Sequence, residues 1–249
     1  MIANIEKKRN SIEFKVYGKY ALFSDPITRV GGEKFSYQIP TYQALKGIVE
    51  SIYWKPTIIW YIDKLRVMKK IQTESKGIRP ICMNDGSNEL SYYTYLSDVE
   101  YQVLAHFEWN LHRENLLIDR NENKHHNIAK RCVEKGGRRD IFLGTRECQG
   151  YIEPCIFGSG DSFYDNYGEL DFGVQFHGFD YPDETGVNEL GVRFWNVKMV
   201  NGIINFDEPS KCQIKRSLRK MNMKNFDDKI NFLSLSDDIC LQNLLNEVR

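Results

Sequence analysis

Over residues 11–20, apolar Ile12, Phe14 and Val16 alternate with Glu13, Lys15 and Tyr17, the period-two pattern of a strand with one buried face. A loop punctuated by Asp25-Pro26 and Gly31-Gly32 follows, and then the period lengthens. Tyr42, Leu45, Ile48, Val49 and Ile52 recur at helical spacing; Thr41 can cap the helix, and Pro56 forces it to stop by Lys55. Gly47 inside this helix costs about 1 kcal/mol relative to Ala, which predicts close packing of that turn on a sheet. Residues 57–68 read as a second strand and 98–109 as a third. Between them, 70–97 reads as an irregular insertion with a turn at Asn84-Asp85-Gly86. In the third strand, Val99, Tyr101, Val103, Ala105, Phe107 and Trp109 share the apolar face. Glu100, Gln102, His106 and Glu108 share a polar one, where His106 is expected to be a surface hydrogen bonder.

A polar loop carrying Lys124, His125 and His126 then leads into a short second helix, 127–135, stopped at Gly136. Strand-like 141–144 and 151–157 follow. The order strand, helix, strand, strand, helix, strand is that of a split βαβ, ferredoxin-like (RRM-like) unit. Gly158-Ser159-Gly160-Asp161 marks a boundary. The chain therefore reads as α+β: a ferredoxin-like domain over 12–157 and a small antiparallel β-sheet domain over 158–249. The second domain has strands at 173–179, 190–199 and 203–206, with a hairpin turn at Asn201-Gly202. So small a sheet cannot stand alone and is expected to pack on the first domain. From Lys211 the chain is basic, and it ends in a marginal amphipathic helix over 239–248.

Composition narrows the class. A chain of 249 residues with 41% hydrophobic and 27% charged residues is globular and large enough for a real core. There is no apolar run of membrane-spanning length and no signal-peptide core near the start, so a cytoplasmic protein with no membrane partner is expected. Six scattered cysteines lack zinc-site spacing, which points to reduced thiols and to neither metal nor cofactor. The net charge of zero hides a segregation. Lys211, Lys215, Arg216, Arg219, Lys220 and Lys224 share a window without an acid, and Lys130, Arg131, Lys135, Arg138 and Arg139 have only Glu134 among them. Such patches on a neutral chain suit a polyanion bound along one face. Lys124 beside His125 and His126 adds chemistry to that face. A neutral imidazole moves a proton near pH 7 while an adjacent ammonium steadies a phosphate, which is phosphoryl chemistry without a metal.

Longer phrases carry a resemblance. Residues 20–26 (YALFSDP), 31–34 (GGEK), 40–47 (PTYQALKG), 51–56 (SIYWKP), 136–144 (GGRRDIFLG), 146–151 (RECQGY), 157–161 (FGSGD) and 181–186 (YPDETG) resemble, in order, the fifth CRISPR-associated protein family in its type I-C (Dvulg) form, within the RAMP superfamily. The resemblance covers about residues 12–210. It implies a ferredoxin-like N-terminal domain and a small β-rich C-terminal one. It implies an endoribonuclease that cuts the repeat stem-loop of precursor crRNA by 2′-hydroxyl attack, leaving a 2′,3′-cyclic phosphate and a 5′-hydroxyl. It further implies that the protein stays on the crRNA 5′ handle beside the backbone and large subunits of a surveillance complex. The family's proposed catalytic tyrosine at the end of the first helix and Lys-His pair before the second fall here on Tyr53, Lys124 and His125. The candidates for gripping RNA are Arg29, Lys34, Lys55, His126, Lys130, Arg131, Arg138, Arg139 and Arg146. Two rivals stand beside this reading: a non-cleaving scaffold on the same handle, and a metal-dependent nuclease using His106, His112, Asp119, His125 or His126.

Overall fold

The computed structural model describes residues 9–26, 33–82 and 86–224. Strand β1 (Ser11–Ala21) buries alternate residues as its pattern predicts, with Phe14 and Val16 fully enclosed. It runs antiparallel between β5 (Ser91–Trp109) and β7 (Gln149–Pro154), and β3 (Ile58–Val67) lies antiparallel on the far edge of β5. Helix α1 (Tyr42–Ile52) follows β1, and α2 (Glu122–Glu134) follows β5. Set aside the short β2 (Lys34–Phe35) and β4 (Thr73–Ile78), and the sheet order β3-β5-β1-β7 is that of a split βαβ unit. The fold is thus mostly antiparallel sheet with few helices, in line with the α+β expectation. A two-residue β6 (Ile141–Phe142) extends the β7 edge.

The C-terminal strands grow from the opposite edge. β8 (Glu169–Asp180) pairs with β9 (Glu189–Val200), and β11 (Ile214–Lys220) takes the other side of β9. Between β9 and β3 sits β10 (Ile203–Asn205), which pairs with both and makes the sheet continuous. The Asn201-Gly202 turn puts both residues at positive φ, 48° and 78°, as a tight hairpin between right-twisted strands requires. These strands also reach the helix layer. The ring of Tyr42 in α1 stacks on His177 of β8 at 4.1 Å, and His177 meets Trp195 of β9 edge-on. Burial, with Arg193 beside it, pushes His177 down to about 3, so the ring is neutral and donates from Nε2 to the Asp207 carbonyl at 2.9 Å. Lys46 of α1, itself buried, pairs with Glu184 of the short helix α3 (Pro182–Thr185) at 2.5 Å.

Several expectations need correction. The stretch 70–97 is not irregular: β4 and the first part of β5 form an antiparallel arm running from Thr73↔Leu96 to Ile78↔Ser91. The β4 half, TESKGI, is polar and largely exposed, so its side-chain periodicity does not announce a ladder that backbone hydrogen bonds hold, although Tyr95 and Leu96 on the β5 half are buried. Residues 83–85, and with them most of the expected turn, lie outside the described residues, as do Gly31-Gly32 and the helix expected over 239–248. Gly47 does not pack closely, since a Cβ there would meet nothing within 4 Å. The buried face of α1 is instead Leu45, Ile48, Val49 and Ile52. Helix α2 begins at Glu122, so Lys124, His125 and His126 occupy its first turns rather than a preceding loop. The Asn121 side chain caps it, accepting the Lys124 N–H at 3.0 Å. The basic stretch after Lys211 contains a strand, β11, exposed along its whole length.

Much of the polar face of β5 is covered, although Glu108 is exposed. Residues 157–165 cross it, and Gln102 accepts from the Gly158 N–H (2.8 Å) while donating to the Ser159 carbonyl (2.7 Å). Arg66 of β3, also buried, donates to the Gly160 carbonyl and to the Asp165 carboxylate. His106 is therefore no surface residue. It is buried against Asp63, with Nδ1 2.9 Å from the carboxylate and its ring stacked on Tyr61.

Two glycines give a test with opposite signs. At Gly144 φ is +95° and a Cβ would run into the Leu22 backbone carbonyl, so Gly144→Ala should lower stability by more than about 2 kcal/mol. Gly47→Ala fills an open helical position and should raise it by about 0.5–1 kcal/mol. Urea midpoints of the two variants moving in the same direction would contradict this packing.

Candidate active site

Helix α1 ends because Pro56 forbids its continuation, and the chain turns extended at Tyr53, φ −157°. That turn drives the Tyr53 side chain inward, 1% exposed, while Trp60 of β3 donates its indole N–H to the Tyr53 carbonyl at 2.7 Å. From the other side, the 3₁₀ turn Glu114–Asp119 and the Asn121 cap aim the first turn of α2 at the same spot. His125, fully buried, meets the Tyr53 hydroxyl with Nδ1 at 2.8 Å and the Asp119 backbone carbonyl with Nε2 at 2.8 Å. Two residues far apart in sequence are thus joined at their functional atoms.

A backbone carbonyl only accepts, so Nε2 carries the proton of the neutral ring. Nδ1 is then an acceptor, and the tyrosine hydroxyl donates to it. The Asp119 carboxylate completes the set: Oδ2 lies 3.4 Å from His125 Nε2 and accepts from the Thr57 hydroxyl at 2.8 Å. Its Oδ1 takes the Lys124 ammonium at 2.5 Å. That bonded ammonium holds the Asp119 carboxyl below the usual carboxylate range. Around the imidazole stand Trp109 at 5.7 Å, Tyr53 at 6.0 Å and Phe107 at 6.3 Å between ring centroids. Burial, with Asp119 next in weight, pushes Tyr53 up to about 12, against an opposing pull from Arg138. Tyr53 is accordingly a neutral hydroxyl at physiological pH.

The expected catalytic trio is therefore brought together, but only Lys124 is exposed. Asp119 was considered in sequence only as a metal-ligand candidate; a carboxylate five residues before Lys124 on a different element carries no signal of its own. His126 is half-buried and ties α2 to β1, its Nε2 2.9 Å from the Ser11 carbonyl. Lys130 and Arg131 lie exposed along α2, lining a shallow groove with Lys124 and Asn127. Lys55, Arg138 and Arg139 line a cleft with Trp54, Glu50 and Ser51 at the end of α1. Two others are elsewhere. Lys34 sits over Tyr93, near the start of β5 and so far along that strand from Trp109. Arg146 is in the loop whose neighbours Glu147 and Cys148 face Tyr95 and Lys76. Arg29 is outside the described residues. Among the described residues, no three His, Cys, Asp or Glu side chains are placed to share a metal ion: His106 lies with Asp63, and His112 beside Gly186. No helix among them is long and apolar enough to cross a membrane.

The family model described as CRISPR-associated protein (Cas_Cas5), in its Cas5d form, matches residues 11–207. A protein of Mannheimia succiniciproducens named CRISPR pre-crRNA endoribonuclease Cas5d is 30% identical over 235 residues, 83% of this chain and 99% of its own. Among solved structures, a CRISPR-associated protein superposes with a TM-score of 0.71 at 38% identity, over 83% of this chain and 96% of that one. A functionally uncharacterized protein from Streptococcus mutans does so with a TM-score of 0.70 at 40% identity, over 86% of this chain and all of that one.

The buried hydrogen bond makes a stability prediction. Tyr53→Phe leaves the enclosed His125 Nδ1 without its donor and should cost about 1–3 kcal/mol in urea unfolding, with no RNA present. The Lys124–Asp119 pair adds a pH signature. Because the folded carboxyl is depressed, its contribution is present above the ordinary Asp value of about 4 and fades as pH falls through the lower folded value. The stability gap between wild type and Lys124→Ala should close on acidification, and a gap that widens would contradict the pairing.

Proposed function

We propose that this chain, which belongs to the CRISPR-associated Cas5 family, is the endoribonuclease that cuts the repeat stem-loop of precursor crRNA, with Tyr53, His125 and Lys124 as its catalytic set. The 2.8 Å contact between the Tyr53 hydroxyl and His125 Nδ1, with Lys124 on the same helical turn, is the observation that carries this reading. It is supported by the relative named as a pre-crRNA endoribonuclease, which matches nearly end to end.

In this mechanism the 2′-hydroxyl attacks the adjacent phosphorus in line. Its proton passes to the Tyr53 oxygen as the tyrosine proton passes to His125 Nδ1, so His125 is the general base and acts through the phenol. A tyrosine held near 12 gives up its proton only if another group accepts it in the same step, which is what the relay provides. The imidazolium that forms lies next to the Asp119 carboxylate. Lys124, shared between Asp119 and the open face, stabilises the extra charge on the phosphorane, an interaction strongest in the transition state. The P–O5′ bond breaks as the ring closes and the leaving oxygen takes a proton from solvent, so the products are a 2′,3′-cyclic phosphate and a 5′-hydroxyl, and no metal takes part. Since Tyr53 and His125 are buried in the free protein, RNA must open the wall beside Tyr53 to engage them.

The ferredoxin-like, RAMP-type unit over 12–157 carries this chemistry, and the β-rich part over 158–249 is assigned to contacts that hold the protein on the crRNA 5′ handle, beside backbone and large subunits of the surveillance complex. Lys55, Arg138, Arg139, Lys130 and Arg131 form the RNA face nearest the trio. Arg29, Lys34, His126 and Arg146 are assigned to a longer RNA track.

The test is cleavage of an end-labelled repeat stem-loop in EDTA. Wild type should cut, while His125→Ala, and wild type on a substrate with one 2′-deoxy at the scissile nucleotide, should each lose at least about a hundredfold in rate. Tight binding of intact RNA by wild type without cleavage would make the protein a handle-binding scaffold instead.

A further inference from the structure

Trp54 is out of place by the standards of its own fold. Trp60 and Trp195 are buried at 1% and 6% exposure, but Trp54, the residue after the buried Tyr53, is 42% exposed. It forms one side of the cleft lined by Glu50, Ser51, Lys55, Pro56, Arg138 and Arg139. The opposite wall is built by the chain after α2. Gly136 and Gly137 take φ of 80° and 103° and fold the backbone back, and the Arg139 N–H bonds to the Ser51 carbonyl at 3.1 Å. Both walls are thus fixed to α1.

The chemistry of this cleft is divided. Lys55, Arg138 and Arg139 are exposed and make no ion pair among the described residues, so three cations stand ready for phosphate oxygens. Glu50, in the last turn of α1, places a carboxylate in the same cleft, where it repels phosphate and favours the amino edge of a base. Burial raises the Glu50 pKa, in keeping with its recessed position. An aromatic face, a hydrogen-bonding carboxylate and flanking cations are the components by which proteins hold an unpaired nucleotide.

We propose that this cleft binds a single unpaired nucleotide of the RNA next to the scissile phosphate, its base stacked on Trp54 and its phosphate held by Arg138, Arg139 and Lys55. The proposal rests on the ribonuclease reading and deepens it. Trp54 adjoins Tyr53 in the chain, and Arg138 is close enough to influence the Tyr53 hydroxyl, so a base seated here sets the neighbouring phosphate at the catalytic trio. Trp54 is a positioning residue and takes no part in proton transfer.

The experiment uses repeat stem-loop RNAs with one abasic nucleotide immediately 5′ or 3′ of the cut, each compared with intact RNA in binding and in cleavage by full-length protein. For wild type, one of the two abasic positions should weaken binding by about ten- to a hundredfold, the range of a lost base–aromatic stack. In Trp54→Ala the intact and abasic RNAs should bind alike, because there is no stack left to lose. Trp54→Phe, which keeps an aromatic face, should restore most of the difference. An abasic penalty in Trp54→Ala as large as in wild type, or none at either flank in wild type, overturns the proposal. The binding arm is independent of turnover: if wild type binds but does not cut, the ribonuclease reading fails while the stack is still judged.

Discussion

An imidazole with no exposed surface must satisfy both ring nitrogens from inside the protein, and that demand on His125 organises this whole end of the fold. One nitrogen takes the side chain of Tyr53, the residue that ends α1, the other the backbone just before α2, and two aromatic residues from the end of β5 close the remaining space. Three elements distant in sequence are thereby fixed at one point. Helix α1 is held at its other end as well, where Tyr42 stacks on His177, and at its middle, where Lys46 meets Glu184. The helix carrying the tyrosine is clamped along its length, so the hydroxyl is positioned by packing instead of by a flexible loop.

The molecule separates buried hydrogen bonding from displayed charge. Tyr53 and His125 lie inside, while the cations remain outside on α2 and on the turn after it. Lys124 is the hinge between the two sets, exposed itself but bonded to a carboxylate that also faces the buried imidazole. Arg66, Gln102 and the 157–165 crossing make a second polar layer beneath the sheet. Removing one partner from such a buried network costs more than the bond itself, because the other is left unsatisfied.

What the sequence disclosed follows from which forces leave a periodic trace. Burial of one face does, so β1, α1, β3, the inner part of β5 and the Asn201-Gly202 hairpin were readable. Backbone pairing of a polar, exposed strand does not, which is why β4 and the basic β11 carry no periodic signal. The start of α2 is masked because Asn123, His125 and His126 are indifferent helix formers, and the cap at Asn121 is its main signal. The identities of Tyr53, Lys124 and His125 came from phrase-level resemblance; their convergence came from the fold. The contacts of Asp119, Trp109 and His177 leave no trace in the sequence, since each is made with a neighbour brought in by tertiary packing.

The central position of β1 has a consequence for synthesis. Its neighbours in the sheet are β5 and β7, with Ser11 opposite His106 and Tyr17 opposite Tyr151. At ordinary translation speeds of about 5–20 residues per second, β1 leaves the ribosome roughly 5–20 seconds before β5 and longer still before β7. For that interval a strand with Phe14 and Val16 on one face has neither ladder partner available, although α1 and β3 have already emerged. Sheet nucleation must therefore wait for the β5 segment, and the nascent chain spends the interval needing protection from other unpaired strands.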